Sequence, residues 1–307
     1  EVWAAASRFF QARLKDQPAV WAYLQRRGLN DETRERFQLG WAESGWRSLT
    51  EALLLKNFSI KDLVAAGLVI NKDNRYYDRF RGRIMFPLVD GAGRVVGFSG
   101  RVFSLDGTPL PETAGKYINT PETKLYNKSK ILYGYYQAKT EIRRQDLAVI
   151  VEGQMDLLLA HQSGTTNAVA VSGTALTAHH LELIKRLSRN IIMAFDGDNA
   201  GINASRRAVG LALPIGLEVK IAELPTGLDP ADWILKDQSS WQQAIKQARH
   251  AIDFYLAILE RQSLPRREFA HAVKQDIYPF LLQLTERIDR SHFIAELAGR
   301  LGLAEAV

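Results

Sequence analysis

The sequence predicts an α/β protein, α+β over the chain as a whole, and three observations carry that reading. Between Leu147 and Ala222, strand-sized apolar runs alternate with segments of helical periodicity, the pattern of a parallel sheet covered by helices. Ahead of this stretch lies a basic half with β-like segments around a Gly-rich turn, and behind it, from about Asp237, the apolar spacing is helical to the end. A chain of 307 residues has room for two or three domains. The breaks in pattern divide it into a mixed N-terminal lobe (1–145), a central parallel-sheet domain (146–236) and a C-terminal helical subdomain (237–307).

Taken in order, Trp3 to Lys15 has helical apolar spacing, and Ala19 to Arg27 ends at Gly28, a natural helix stop. Asn30 or Asp31 can cap a further turn ending near Gly40, and Gly40 to Gly45 reads as a loop flanked by Trp41 and Trp46. Ile84 to Val89 and Arg94 to Phe103 form β segments joined by Asp90-Gly91-Ala92-Gly93, a hairpin signal. Residues 104–130, rich in Gly, Pro, Thr and Lys, read as an extended irregular surface.

The alternation that follows begins with a strand at Leu147–Val151 and a helix at Met155–Gln162. A strand at Ala168–Val171 and a helix at Thr177–Leu187, with Thr177 as N-cap, come next. Then come a strand at Ile191–Phe195, a helix at Ala200–Leu213 and a strand at Glu218–Ala222.

Composition narrows the chemistry. Hydrophobic residues make up 46% and charged ones 24%, a balance that argues for a folded chain over a disordered one. The absence of cysteine excludes disulfides, a thiol nucleophile and Cys-ligated zinc within this stretch. No apolar run approaches the ~18 residues of a membrane span, and no signal peptide opens the chain. The chain begins at Glu1 without methionine, as expected of a fragment.

Residues 1–150 hold 24 Lys and Arg against 16 Asp and Glu, whereas residues 151–307 hold 16 against 18. A basic front and a mildly acidic back point to a polyanion held by one part and different work done by the other, unless the basic surface is only solvated.

Ligands in open α/β sheets gather at the carboxyl ends of the strands, and here those ends carry acids. The first strand runs into Glu152-Gly153-Gln154-Met155-Asp156, the third into Asp196-Gly197-Asp198, and after the fourth comes Asp229-Pro230-Ala231-Asp232. Any one of these acids is readily a helix cap. Three clusters on one sheet edge are harder to explain that way, since two carboxylates about 4 Å apart repel by roughly 4 kcal/mol at an effective dielectric near 20. Oxygen ligands without His or Cys suit Mg²⁺ or Mn²⁺, which activate an attacking hydroxyl and clamp a phosphoryl group.

At these residues the sequence resembles a known family. Glu152-Gly153-x-Met155-Asp156 followed by Phe195-Asp196-Gly197-Asp198-x-Ala200-Gly201 is similar to the Toprim domain of bacterial DnaG-type primases, as is Ser172-Gly173-Thr174-Ala175-Leu176-Thr177 between them. Upstream, Tyr77 to Pro87, Gly97-Phe98-x-Gly100-Arg101 and Lys116 to Thr123 resemble the same family's basic motifs. The resemblance covers nearly the whole chain in the family's order.

It implies the RNA polymerase core of a primase, which copies single-stranded DNA into a short RNA primer from ribonucleoside triphosphates and leaves an RNA–DNA hybrid. Carried over, Glu152, Asp196 and Asp198 would be the catalytic metal-binding acids, with Asp156 and Asp229 in support. Arg79, Arg81, Arg83, Arg101, Lys116, Tyr117 and Lys128 would line the template or nucleotide. The family's zinc-binding domain in front and helicase-binding domain behind are both missing from this sequence, as expected of a trimmed core. Zn²⁺ would belong only to the former and the replicative helicase only to the latter. The implied setting is the replication fork in the bacterial cytoplasm, with no membrane contact. One departure is that the family commonly shows Asp-Pro-Asp where this chain has Asp229-Pro230-Ala231. Asp232 either replaces the missing acid or complements a helix dipole, the role we favour.

The residues themselves add detail. Arg79, Arg81 and Arg83 alternate, so on a strand they would form one row of forked donors for phosphates. Tyr76, Tyr77 and Tyr117 are candidates for stacking on bases, whereas Phe80 and Phe98 read as core. Trp41 and Trp46 read as hydrophobic anchors of the helical lobe, and His161, His179 and His180 lack metal spacing. Two other readings compete with nucleotidyl transfer. One is a Toprim topoisomerase or nuclease, which the basic motifs upstream disfavour; the other is a single-strand-binding accessory, which the intact acids disfavour. No P-loop marks ATP hydrolysis.

Overall fold

The structure is a computed structural model that describes residues 1–105, 107 and 115–302. In chain order its strands are β1 (Gly40–Ala42), β2 (Val69–Lys72), β3 (Arg75–Asp78), β4 (Arg83–Val89), β5 (Val95–Val102), β6 (Tyr117–Asn119), β7 (Ala148–Val151), β8 (Ala168–Ala170), β9 (Asn190–Met193), β10 (Glu218–Ile221) and β11 (Arg249–His250). The chain divides into two compact units, one of Glu1–Ala138 with Gly153–Thr174 and one of Lys139–Glu152 with Ala175–Val307.

In the first unit β1, β4, β5 and β6 form an antiparallel sheet in the order β1-β4-β5-β6. All seven residues of β4 are buried, which is why its apolar run is nearly unbroken. The predicted hairpin joins β4 to β5. Asp90 Oδ1 accepts from the backbone N–H groups of Ala92 and Arg94, and Gly93 takes the left-handed φ of +83° that the turn needs. The first helix, Val2–Lys15, buries Trp3, Ala6, Phe10 and Leu14 along one face. It lies so close to β1 that a Cβ on Gly40 would stand 2.5 Å from the Phe10 Cβ. Phe80 and Phe98 are core residues, as expected, packed edge-on to one another. Asp78 anchors the second hairpin, β2–β3, to the Ser48–Leu54 helix by accepting from the N–H groups of Leu49 and Thr50 at 2.8 and 3.0 Å.

Four expectations fail, wholly or in part, in this unit. Gly40–Ala42 is a strand and not a loop, because it pairs with β4 in the register Gly40↔Met85; three residues are too few to show a period. Trp41 is the buried anchor expected, but Trp46 is 64% exposed. Arg79, Arg81 and Arg83 do not share a strand: β3 ends at Asp78, Gly82 turns the chain at φ +58°, and only Arg83 belongs to β4. The irregular stretch expected over 104–130 contains β6, and its residues 106 and 108–114 lie outside the described residues.

The second unit carries the parallel strands β7, β9 and β10 with β11 antiparallel at the edge, in the order β11-β10-β9-β7. β7 is buried throughout and β9 at three of its four positions, as a sheet covered on both faces requires. Thr177 caps the Ala178–Lys185 helix as expected, accepting from the His180 N–H. From Asp237 to Gly302 the helices are interrupted by turns and by β11, whose two residues pair with Lys220 and Ile221. No helix among the described residues is long and apolar enough to cross a membrane.

His161, in the first unit, is buried on the Gln154–Gln162 helix with its ring edge-on to Phe37. Its Nε2–H donates to the Ala168 carbonyl at 2.9 Å. Burial pushes its pKa down to about 4. The unfolded chain therefore takes up this proton near pH 6.5, before the folded one does. The stability His161 contributes is complete above that pH and is lost as the pH falls towards about 4. Denaturant unfolding between pH 6.5 and 4 is expected to give a slope shallower by up to about 1.4 kcal/mol per pH unit in His161→Leu than in wild type. His250, also held near 4 by burial, leaves a residual slope in both.

Candidate functional site

Four of the five predicted acids fall in the second unit. Glu152 follows directly on β7, Asp196 and Asp198 lie just past β9, and Asp229 follows the turn after β10. The parallel register that pairs Ile150 with Met193, and Met193 with Ile221, brings these strand ends level. Glu152 Oε1 accepts from the Asp196 N–H at 3.3 Å. Burial, reinforced by the negative charge of Asp198, raises the Glu152 pKa above the usual carboxylate value. The Asp196 N–H and the charge of Arg207 act the other way.

Backbone contacts fix the neighbouring loop. The Gly197 N–H donates to the Leu228 carbonyl at 3.1 Å, and the Gly227 N–H donates to the Gly197 carbonyl at 3.3 Å. A Cβ on Gly197 would stand 2.3 Å from the Pro225 oxygen, and one on Gly201 would stand 2.2 Å from the Asp196 oxygen. Only glycine permits either approach. Asp198 caps the Asn199–Ala212 helix by accepting from the Gly201 N–H at 2.8 Å. Asp229 caps the Pro230–Lys236 helix by accepting from the Asp232 N–H at 2.7 Å, with Pro230 in the first turn as expected. Asp232 is exposed and Ala231 buried.

Each cap uses one carboxylate oxygen and leaves the other. The donors are oxygens alone, two of them on groups whose charges oppose one another, so this set fits a hard divalent cation such as Mg²⁺ or Mn²⁺. Among the described residues no three His, Cys, Asp or Glu side chains already stand in a metal-holding group.

The fifth acid, Asp156, belongs to the first unit. It is buried and accepts from the Gly153 N–H at 2.9 Å, the N3-to-N-cap half of a capping box at the start of the Gln154–Gln162 helix. A Cβ on Gly153 would stand 2.7 Å from that carboxylate.

The predicted basic residues are also in the first unit and do different things. Arg83 is buried and donates to the Gly100 and Gly115 carbonyls at 2.9 and 3.1 Å, which makes it a brace for β4 and β5. Arg79 is half-buried, and burial holds its pKa below the usual value. Arg81 lies 4.3 Å over the Trp46 ring and 5.3 Å over that of Tyr77, with its guanidinium also donating to the Asp78 carbonyl. Arg101 on β5 faces Tyr117 on β6, donating to its hydroxyl at 3.5 Å and lying 5.8 Å from the Tyr23 ring. Burial raises the Tyr117 pKa and Arg101 opposes the rise. Lys116 is exposed. Lys128 Nζ donates to the Gly173 carbonyl at 2.7 Å.

Sequence reasoning passed over three residues. Trp46 was assigned to the core; its place in a Gly45-Trp46-Arg47 turn was the available signal. Arg207, two turns into the helix that Asp198 caps, supplies the positive charge felt at Glu152. Gln154, a polar side chain buried between two motif acids, had no signal beyond its position.

Two family models match the chain. One, described as DNA primase catalytic core, N-terminal domain, covers residues 9–139; the other, described as Toprim-like, covers residues 149–234. A DNA primase of Halalkalibacterium halodurans is 34% identical over 97% of this chain and 50% of its own length. The chain thus spans about half the length of the curated relatives it matches. Among solved structures, the RNA polymerase domain of Mycobacterium tuberculosis primase DnaG superposes with a TM-score of 0.85 at 33% identity, covering 97% of each chain. A DnaG primase catalytic domain bound to single-stranded DNA gives 0.84 at 33% identity, over 99% of this chain and 96% of that one.

The loop geometry orders three substitutions. Gly197→Ala is expected to cost about 1–3 kcal/mol through the clash with Pro225, and Asp229→Ala about 1 kcal/mol through the lost cap. Asp232→Ala should cost only a few tenths of a kcal/mol. Urea unfolding of the three variants checks that order, and a loss in Asp232→Ala equal to that in Asp229→Ala would give Asp232 more than a dipole role.

Proposed function

We infer that this chain, which belongs to the bacterial DnaG-type primase family, carries out DNA-templated RNA synthesis as that family's polymerase core. The observation that carries the reading is the set of carboxylates at the ends of β7 and β9, where Glu152 accepts from the Asp196 N–H and its charge is opposed by that of Asp198. In this reading residues 1–145 hold the template, 146–236 carry the acids and 237–307 are a helical subdomain. The substrates are ribonucleoside triphosphates on single-stranded DNA, and the product is an RNA–DNA hybrid.

Glu152, Asp196 and Asp198 would hold Mg²⁺ or Mn²⁺ with Asp229 in support, and the ion would lower the pKa of the attacking hydroxyl and offset charge developing on the phosphoryl oxygens. The chain's own residues do the positioning. The cap that Asp198 forms fixes the direction of its carboxylate, and the Gly197–Leu228 bond holds the loop that presents Asp196. Arg207 moderates the repulsion at Glu152.

Arg79, Arg81, Arg101, Lys116 and Lys128 attract backbone and triphosphate oxygens, while Arg83 acts from behind by holding β5 in place. Tyr117 orients Arg101 through its hydroxyl. The exposed Trp46 ring, with Tyr77 edge-on at 5.6 Å and the Arg81 guanidinium over it, is suited to stack on an unpaired base. A helicase would be met through a part of a longer protein, and the setting is the replication fork.

The test is to incubate the chain with single-stranded template, ribonucleotides and Mg²⁺ or Mn²⁺. Short oligoribonucleotides are expected, and Asp196→Asn should reduce them by roughly a hundredfold or more, the scale on which loss of a charge-stabilising group acts. Cut DNA would favour a Toprim nuclease, and binding without any product would favour an accessory role.

A further inference from the structure

Within the Glu152–Asp156 segment, Gln154 has no role in the reading above, yet it is only 3% exposed. Its Nε2 carries two N–H groups, and both are used inside the first unit. One donates to Ser99 Oγ on β5 at 2.8 Å and the other to Ser172 Oγ at 2.5 Å. Both serines are buried.

Ser172 has φ +56° and Gly173 φ +74°. Two successive left-handed residues make a sharp turn, and serine, unlike glycine, takes that conformation only when its surroundings impose it. Nothing lies within 4 Å of where a Gly173 Cβ would be, so packing does not impose the turn at that residue. The Gln154 amide, which joins Ser172 to the sheet, is the visible restraint. The carbonyl of Gly173 then accepts from Lys128 Nζ at 2.7 Å. A neutral carbonyl takes one of the three ammonium donors and leaves two, so the amine is oriented without being neutralised.

We propose that Gln154 is a positioning residue: by tying the Ser172–Gly173 turn to β5, it sets the Gly173 carbonyl that aims the Lys128 ammonium at the phosphates of the incoming nucleotide. The proposal rests on the polymerase reading for the identity of the ligand; the brace itself does not. Glutamine suits the place because it offers two donors from one neutral atom. Leucine keeps much of the volume and neither donor, and asparagine is one methylene too short to reach both hydroxyls.

Two measurements on the whole chain test it. Hydrogen exchange in the free protein is expected to quicken by about tenfold at the amides of 172–174 in Gln154→Leu, since the restraint is local. Steady-state RNA synthesis should show KM for the nucleotide raised roughly five- to tenfold, the scale of one or two hydrogen bonds, with kcat within about twofold. In a Lys128→Ala background the same substitution should change KM by less than about twofold, because the group it positions is gone.

Unchanged exchange at 172–174 overturns the brace. A KM effect of equal size with and without Lys128, or a lower melting temperature with KM unchanged, overturns the positioning role. Quickened exchange in a chain whose wild type makes no RNA overturns the assigned ligand and the polymerase reading together, while the exchange result still upholds the brace.

Discussion

The loop that carries Asp196 and Asp198 depends on a backbone contact where no side chain fits. Gly197 and the 225–228 turn exchange two hydrogen bonds at 3.1 and 3.3 Å, and the space a Cβ would need is filled by the Pro225 carbonyl. That contact ties the loop after β9 to the segment after β10, so the acids borne by both are set by main chain. With the direction of the loop fixed, Asp198 and Asp229 can each cap a helix with one oxygen and keep the other available.

Concentrating carboxylates in this way has a cost that the structure displays. Glu152 is partly withdrawn from water and faces the charge of Asp198, and both effects oppose its ionisation. Arg207 and the Asp196 N–H relieve only part of it. A divalent cation would offset that repulsion, which is the physical content of the proposed metal-dependent reading. The first unit has the opposite character. Its cations are oriented by carbonyls and aromatic rings, as with Lys128 on Gly173 and Arg81 over Trp46, contacts that orient the charge without neutralising it.

Much of the second unit could be read from the sequence, because parallel strands covered on both faces appear as short apolar runs and the helices between them begin at recognisable caps such as Thr177 and Asp198. The positions of the acids followed from the rule that ligands gather at strand carboxyl ends. The first unit was less legible. β1 is three residues long and exists only through its pairing with β4. The supposed row of Arg79, Arg81 and Arg83 is broken by the left-handed turn at Gly82, and alternation alone cannot distinguish a strand from the bend between two strands. Trp46 looked like core because large aromatic residues usually are, and the only hint of its exposure was the neighbouring Gly45, which is weak evidence of a turn by itself. Gln154 was invisible for a related reason: its partners, Ser99 and Ser172, are distant in sequence, and a long-range side-chain contact leaves no local pattern.

The role proposed for the Glu152 and Asp196 carboxylates is to hold a cation, with their mutual proximity to Asp198 leaving no net stabilisation of the metal-free fold from their charges. Calorimetric titration of Mn²⁺ into wild type, Glu152→Gln and Asp196→Asn, paired with melting of each metal-free protein, tests it most directly. Wild type is expected to bind Mn²⁺ and be stabilised by it, both variants to lose the binding, and neither metal-free variant to melt below wild type. Variants that melt several degrees lower without metal, or that bind Mn²⁺ as well as wild type does, would contradict that role.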